Sequence, residues 1–202
     1  MPPPKVQGGN VMYELEIELE DSDPRIWRKI VIACGYPVKA LHYAIRAAFE
    51  WNGLQTCIFL APGFSVQTAS DLDTPWLKQA DAHNEDHFTI EQLFANEPPD
   101  VIYQYSFTEN YYHRIRLARH FTVEPGQNTT KCIAGEYAAP PEEVGGMDGF
   151  EDFKAAMAGP HDGDWKDMHR WYKAQAFGHP WDPDLVDLDE INKYLSSIPY
   201  WL

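Results

Sequence analysis

Any chemistry in this chain would have to come from scattered imidazoles, carboxylates and thiols, and His113 is the best placed of them. It stands in Tyr103–Leu117 (YQYSFTENYYHRIRL), where two alternating runs flank the polar turn Thr108-Glu109-Asn110, the sequence form of a β-hairpin. Val101, Tyr103, Tyr105 and Phe107 share one face of its first strand. His113, Ile115 and Leu117 share one face of the second. An imidazole at the mouth of an aromatic-lined hairpin is either a satisfied structural histidine or part of a site that carries a proton or binds a metal. His42 lies beside an apolar stripe at helical spacing and reads as a boundary histidine, with catalysis as the alternative. Asp81, His83, Asp86 and His87 have ligand chemistry, but they fall in a polar stretch with no scaffold to fix them and read as solvated. Cys34, Cys57 and Cys132 are far apart and form no C-x-x-C, which suits reduced thiols better than a disulfide frame or a zinc knuckle. Gly145-Gly146-x-x-Gly149 lacks the preceding strand and lysine of a phosphate-binding loop and reads as turn chemistry. No Ser/His/Asp order and no H-E-x-x-H is present.

These residues need elements to hold them. The chain has 202 residues, 44 % of them hydrophobic, with 7 Trp, 11 Tyr and 10 Phe, enough for a real core. Tyr13–Glu20 alternates without a fault, placing Glu14, Glu16, Glu18 and Glu20 in an acidic row. Arg114 and Arg116 could neutralise that row; a solvated charged face is the other reading. After the turn Asp21-Ser22-Asp23-Pro24, Ile26–Ile32 returns as a second strand. Val38–Trp51 is an amphipathic helix that covers the sheet, Gln55–Leu60 a strand, and Phe64–Gln67 its hairpin partner. Residues 70–88 are an acidic surface loop. Thr89 and Gln92 form a capping box that opens a short helix through Phe94, and Glu97–Asp100 breaks it. Residues 121–148 are a Pro/Gly-rich connection packed on the body. Three short helices follow, marked by Phe150, Phe153 and Met157, then by Trp165, Met168 and Tyr172, then by Asp187 as N-cap. Pro180, Pro183 and Pro199 punctuate them.

The expected fold class is α+β: a mainly antiparallel sheet packed by an N-terminal amphipathic helix, with a helical C-terminal segment. Residues 1–10 are expected to be a flexible leader and 11–202 one domain, divided into a sheet-rich body at about 11–120, the connection at 121–148 and helices at 149–202. The acids outnumber the bases 31 to 16, for a net charge of −15, and both halves of the chain are acidic. Direct nucleic-acid binding is therefore not expected, because lysine and arginine supply most of it. There is no apolar signal region near the start and no 18-residue apolar run, so a cytoplasmic, non-membrane protein is expected.

Seven landmarks in order resemble the plasmid pRiA ORF-three-like domain family, also described as insertion-element passenger (TnpR-type) proteins. They are the opening strand, Pro24-Arg25-Ile26-Trp27-Arg28, Leu41-His42 through Trp51, and the hairpin Tyr105–Ile115. Cys132-x-x-Gly135 then leads to Pro140-Pro141-Glu142-Glu143-Val144-Gly145-Gly146 and Gly149-Phe150-x-x-Phe153. Asp182-Pro183-x-x-Val186-Asp187, with Ile191-Asn192, completes them. The resemblance implies a compact α+β domain common near mobile elements, in a family of unestablished activity. Relatives typically carry a His-x-His pair where this chain has Gln55-Thr56-Cys57. Their hairpin typically reads Tyr-Asp-Phe-Gly-Asp-x-Trp-x-His, where this chain has Tyr105 to His113 with Ser106, Thr108 and Glu109. Clustered His and Asp could bind a metal or move a proton; here most of that company is gone.

The primary expectation is therefore a non-catalytic acidic interaction protein that binds a basic protein partner through Tyr111, Tyr112, Gln55 and Asn110. No cofactor is expected. The alternative is a metal-assisted hydrolase with His113, Glu109 and His42 as catalytic candidates and Cys57 and His113 as metal ligands. An accessory role in DNA transposition or recombination is a further alternative.

Overall fold

The computed structural model describes residues 10–53, 55–68, 81–96, 101–127, 129–160, 162–175 and 181–197. Expectations for residues 1–9, for 69–80, for the Glu97–Asp100 breaker and for Pro180 and Pro199 lie outside the described residues. The architecture is α+β. Among the described residues eight strands form one sheet: β1 Val11–Leu19, β2 Trp27–Ala33, β3 Cys57–Ala61, β4 Phe64–Gln67, β5 Ala82–Asn84, β6 Val101–Tyr105, β7 Tyr111–Thr122 and β8 Lys131–Glu136. Their order is β5-β4-β3-β6-β7-β1-β2-β8. Every neighbouring pair is antiparallel except β4 and β5, which are parallel. Five helices accompany the sheet among the described residues: α1 Val38–Ala48, α2 Ile90–Leu93, α3 Gly146–Ala158, α4 Gly163–Gln175 and α5 Leu188–Leu195.

Among the described residues the first element is a strand, not a helix. The amphipathic helix comes third and stops at Ala48, three residues short of the expected Trp51. Its end has a physical cause in Arg28, a fully buried residue that donates Nε to the Ala48 carbonyl at 2.8 Å. Arg28 Nη1 also donates to the carbonyls of Trp27 at 2.8 Å and Glu136 at 3.0 Å. A guanidinium at a helix C-terminus satisfies carbonyls that have no partner within the helix and complements the helix dipole. Burial lowers the Arg28 pKa to about 10, so it stays charged at neutral pH. Gly135 makes this possible, because a Cβ there would lie 2.7 Å from Arg28 Cδ.

The acidic row is a ladder of ion pairs. The β1/β7 register sets Glu18 opposite Arg114, Glu16 opposite Arg116 and, across a bulge, Glu14 opposite Arg119. Arg114 pairs with Glu20 at 2.8 Å, Arg116 with Glu18 at 2.9 Å and Arg119 with Glu14 at 2.6 Å. Arg25 adds contacts to Glu16 and Glu18 at 2.6 and 2.9 Å. Hydrogen bonding from Arg25 lowers the Glu18 pKa against the opposing effect of burial.

Two strands occupy stretches expected to be irregular. β5 lies in the acidic loop and β8 in the Pro/Gly-rich connection, so the sheet extends beyond residue 120. β8 forms an edge, and α5 closes part of it. Asn192 accepts from Cys132 N at 2.8 Å and donates Nδ2 to Cys132 O at 2.8 Å, as a neighbouring strand would. The capping box expected at Thr89–Gln92 and the N-cap expected at Asp187 are present.

Candidate functional site

The hairpin tip is a five-residue loop, Ser106–Asn110, longer than the expected three-residue turn. Ser106 and Asn110 both take positive φ, 57° and 55°. The kink puts Ser106 rather than Phe107 into the buried position after Tyr105. Beneath the tip, Trp51 is sandwiched between Tyr105 (ring centroids 4.7 Å, 6° apart in plane) and Tyr111 (5.0 Å, 23°). Tyr111, expected on the surface, is 1 % exposed; Tyr112, on the other face, is 38 % exposed.

Two carboxylates close over this stack. Glu142 accepts the Tyr105 hydroxyl at 2.6 Å and the backbone N–H groups of Asn52 and Gly53 at 2.7 and 2.8 Å. Glu109 accepts the Tyr111 hydroxyl at 3.0 Å and the N–H groups of Gly145 and Gly146, each at 3.2 Å, where α3 begins. A carboxylate there complements the positive end of the helix. Burial and these anionic acceptors push both tyrosine pKa values far up, keeping the hydroxyls protonated. Gly146 sits at φ +71°, and a Cβ on it would lie 2.7 Å from the Glu109 carbonyl, so the glycine run is turn and close-approach chemistry. Trp51 Nε1 donates to Pro140 O at 2.8 Å. The Pro-Pro-Glu segment is thus a clasp that fastens the C-terminal part to the hairpin.

His113 lies below the clasp with no exposed surface. Its ring meets Phe49 (4.7 Å), Trp51 (5.3 Å) and Tyr103 (5.5 Å). Neither ring nitrogen has a hydrogen bond of ordinary geometry, and the Tyr103 backbone offers only a weak polar contact. Burial lowers its pKa to about 3. His42, expected at a boundary, is also buried and shares a 2.9 Å hydrogen bond between Nδ1 and the Tyr103 hydroxyl. Burial, then Arg46 and Lys39, lower its pKa to about 3 as well. An imidazole with so low a pKa is a feeble base and is not an imidazolium acid at neutral pH.

The remaining candidates divide between tip and core. Gln55 Oε1 accepts from Ser106 Oγ at a long 3.5 Å, and Asn110 Oδ1 accepts from Gln104 Nε2 at 2.9 Å on the exposed side. Cys57 is buried on β3, in register with Tyr105, while His113 is in register with Tyr103 on β7. With β6 between them and a two-residue offset along it, the two stand about 12 Å apart by strand spacing and rise. In the 81–87 stretch, His83 stacks on Phe88 (4.5 Å, 22°) and Asp86 pairs with Lys39 at 2.7 Å. Among the described residues, no three His, Cys, Asp or Glu side chains gather as metal ligands would. No described helix is long and apolar enough to cross a membrane. The carboxylates missed by sequence reasoning are Glu142 and a group lining a cleft of about 430 Å³ between the end of α1 and α5: Glu50, Asp187 and Glu190, beside Trp51 and Tyr194. Glu142 bonds partners about 90 positions away, and no local pattern marks that.

An eight-stranded α+β sheet whose hairpin tip is clasped by a Pro-Pro-Glu segment is the class of protein these features define. The chain belongs to the plasmid pRiA4b ORF-3-like family, which it matches over residues 11–190. It is similar to the uncharacterized protein y4hQ of Sinorhizobium fredii (strain NBRC 101917 / NGR234), 24 % identical over 151 residues, 74 % of either chain. Its fold is similar to the crystal structure of the protein of unknown function MM3350 from Methanosarcina mazei Go1, with a TM-score of 0.75. The identity there is 22 %, covering 90 % of this chain and 97 % of that one. Those names assign no activity, so function has to be argued from the residues.

Proposed function

We propose that the chain is a non-catalytic, acidic interaction protein of the cytoplasm whose partner is a basic protein, in keeping with a family met near mobile elements. The observation that supports this is how the reactive groups are employed. Glu109 and Glu142 are bonded to backbone amides and tyrosines, and His42 and His113 are buried and neutral. The strand between Cys57 and His113 argues against a metal held by that pair. Acidity remains on offer elsewhere: residues 141–202 hold 13 Asp and Glu against 5 Lys and Arg. Paired charges on the β1/β7 face contribute little to that excess.

The test is capture of partners from host lysate on immobilised protein, eluted with a salt gradient. A basic protein that elutes with rising salt is expected, and capture of nothing above a charge-matched control would refute the reading. Gel shifts with duplex DNA at low salt are expected to show no complex. Protein purified without chelator is expected to carry less than about a tenth of an equivalent of transition metal.

A further inference from the structure

Two arginines are buried among the described residues, and the fold treats them differently. Arg28 gives three hydrogen bonds to carbonyls. Arg46, in the last turn of α1, is 5 % exposed, and its Nε is enclosed without a hydrogen-bond partner. No ion pair among the described residues includes it. Its surroundings are phenols: Cζ lies 5.8 Å from the Tyr43 ring centroid, and the guanidinium makes a weak polar contact with the Tyr105 hydroxyl. Two carboxylates act on the neighbouring phenols, Glu85 on Tyr103 and Glu142 on Tyr105, and neither pairs with Arg46. Glu142 is already bound to Asn52 and Gly53. A guanidinium taken out of water without a counter-charge strongly destabilises a fold. A chain with 31 acids against 16 bases had ample means to supply that charge, and here it supplies none.

His42 stands one turn earlier on the same face of α1, 7 % exposed. Its Nδ1 shares a 2.9 Å hydrogen bond with the Tyr103 hydroxyl. That buried phenol has no other acceptor among the described residues, so it donates to Nδ1 and leaves the ring proton on Nε2. We propose that Arg46, with the Nε2–H of His42 beside it, anchors a small oxyanion, a carboxylate or phosphate group that the protein's own side chains do not provide. A guanidinium forks onto two oxygens of either group, and a ring packed against it holds its plane. The small openings at Arg46 and His42 suit an ion rather than a polymer. This site is independent of the basic-partner reading, which concerns the acidic surface.

The full chain is titrated with sodium phosphate and, separately, with sodium acetate, at an ionic strength held constant with chloride. The readouts are the Arg46 Nε–Hε resonance of an isotope-labelled sample and the thermal midpoint. At least one anion is expected to move that resonance saturably and to raise the midpoint by about 3–6 °C at roughly tenfold its dissociation constant. A response to phosphate alone assigns a phosphoryl ligand, to acetate alone a carboxylate, and to both the shared oxyanion. Phosphate also stabilises proteins by exclusion from their surface, so the deciding comparison is Arg46→Met, which keeps the stem and removes the charge. In chloride this variant should be at least as stable as the parent, because an unpaired buried charge is gone. Its midpoint should gain nothing saturable from either anion. Arg170→Met, which removes an exposed cation from α4, should respond as the parent does. No saturable movement of the Arg46 resonance, or a midpoint gain retained in Arg46→Met, would overturn the proposal. So would an Arg46→Met variant that is much less stable than the parent in chloride, because the guanidinium would then be answered within the fold. Capture of a basic partner should be unchanged in Arg46→Met, so either reading can fail without the other.

Discussion

Replacing His113 by phenylalanine should flatten the acid side of the stability profile. In the folded protein His113 and His42 stay neutral down to about pH 3, whereas unfolded histidines take up a proton near their ordinary value of 6.5. As pH falls through that interval the unfolded state binds more protons, so stability is fully present above about pH 6.5 and declines steadily below it. Each histidine contributes a slope of about 1.4 kcal/mol per pH unit, or about 2 kcal/mol of loss by about pH 5. Phenylalanine keeps the ring contacts to Phe49, Trp51 and Tyr103 and deletes two nitrogens that have no good partner. At neutral pH the variant should therefore lie within about 1.5 kcal/mol of the parent, the usual range for a near-isosteric core exchange. By about pH 5 it should have gained roughly 2 kcal/mol relative to the parent. Urea unfolding followed by circular dichroism at several pH values measures both. A parent–variant difference that stays constant from neutral pH to about pH 5 would refute the reasoning, because His113 would then titrate alike in both states.

Three further substitutions test the clasp and the edge. Glu142→Ala removes the acceptor for Asn52 N, Gly53 N and the Tyr105 hydroxyl, and should cost about 2–3 kcal/mol in chemical unfolding, the scale of a charge-assisted hydrogen bond plus the groups it strands. Asn192→Leu leaves the Cys132 N–H and C=O without their partners, so stability should fall by about 1–3 kcal/mol and the Cys132 amide should exchange faster with solvent deuterium. Gly135→Ala forces a methyl group toward Arg28 Cδ and the Trp27 carbonyl, and should destabilise by about 1–3 kcal/mol, measured as a drop in thermal midpoint.

The parts of the fold that were legible in sequence are those specified locally. β1 announced itself by strict alternation, and its glutamates found the arginines that a neighbouring strand could supply. β8 was hidden because its pattern is inverted: Cys132 is buried while Ile133 stands 43 % exposed, and Gly135 breaks the run. β5 is three residues long, too short for any period. Tyr111 was misplaced although parity held the answer, since it shares a face with His113 and Ile115 on β7. The candidate site was the least legible part. Its chemistry is decided by Glu109 reaching the start of α3 and Glu142 reaching Asn52–Gly53, pairings across the chain that only the folded sheet brings together.

The ladder between β1 and β7 has an electrical consequence. By cancelling itself strand against strand, it leaves the −15 of the molecule unevenly spread, with a deficit of 8 charges over residues 141–202 alone. An uneven charge is a moment, and a moment exerts torque on whatever approaches with the opposite sign. A cationic body drifting in would be turned before it touched, at distances up to a Debye length of about 8–10 Å in ordinary salt. The ladder would then govern the direction of approach through the neutrality of its own face, without touching the partner at all.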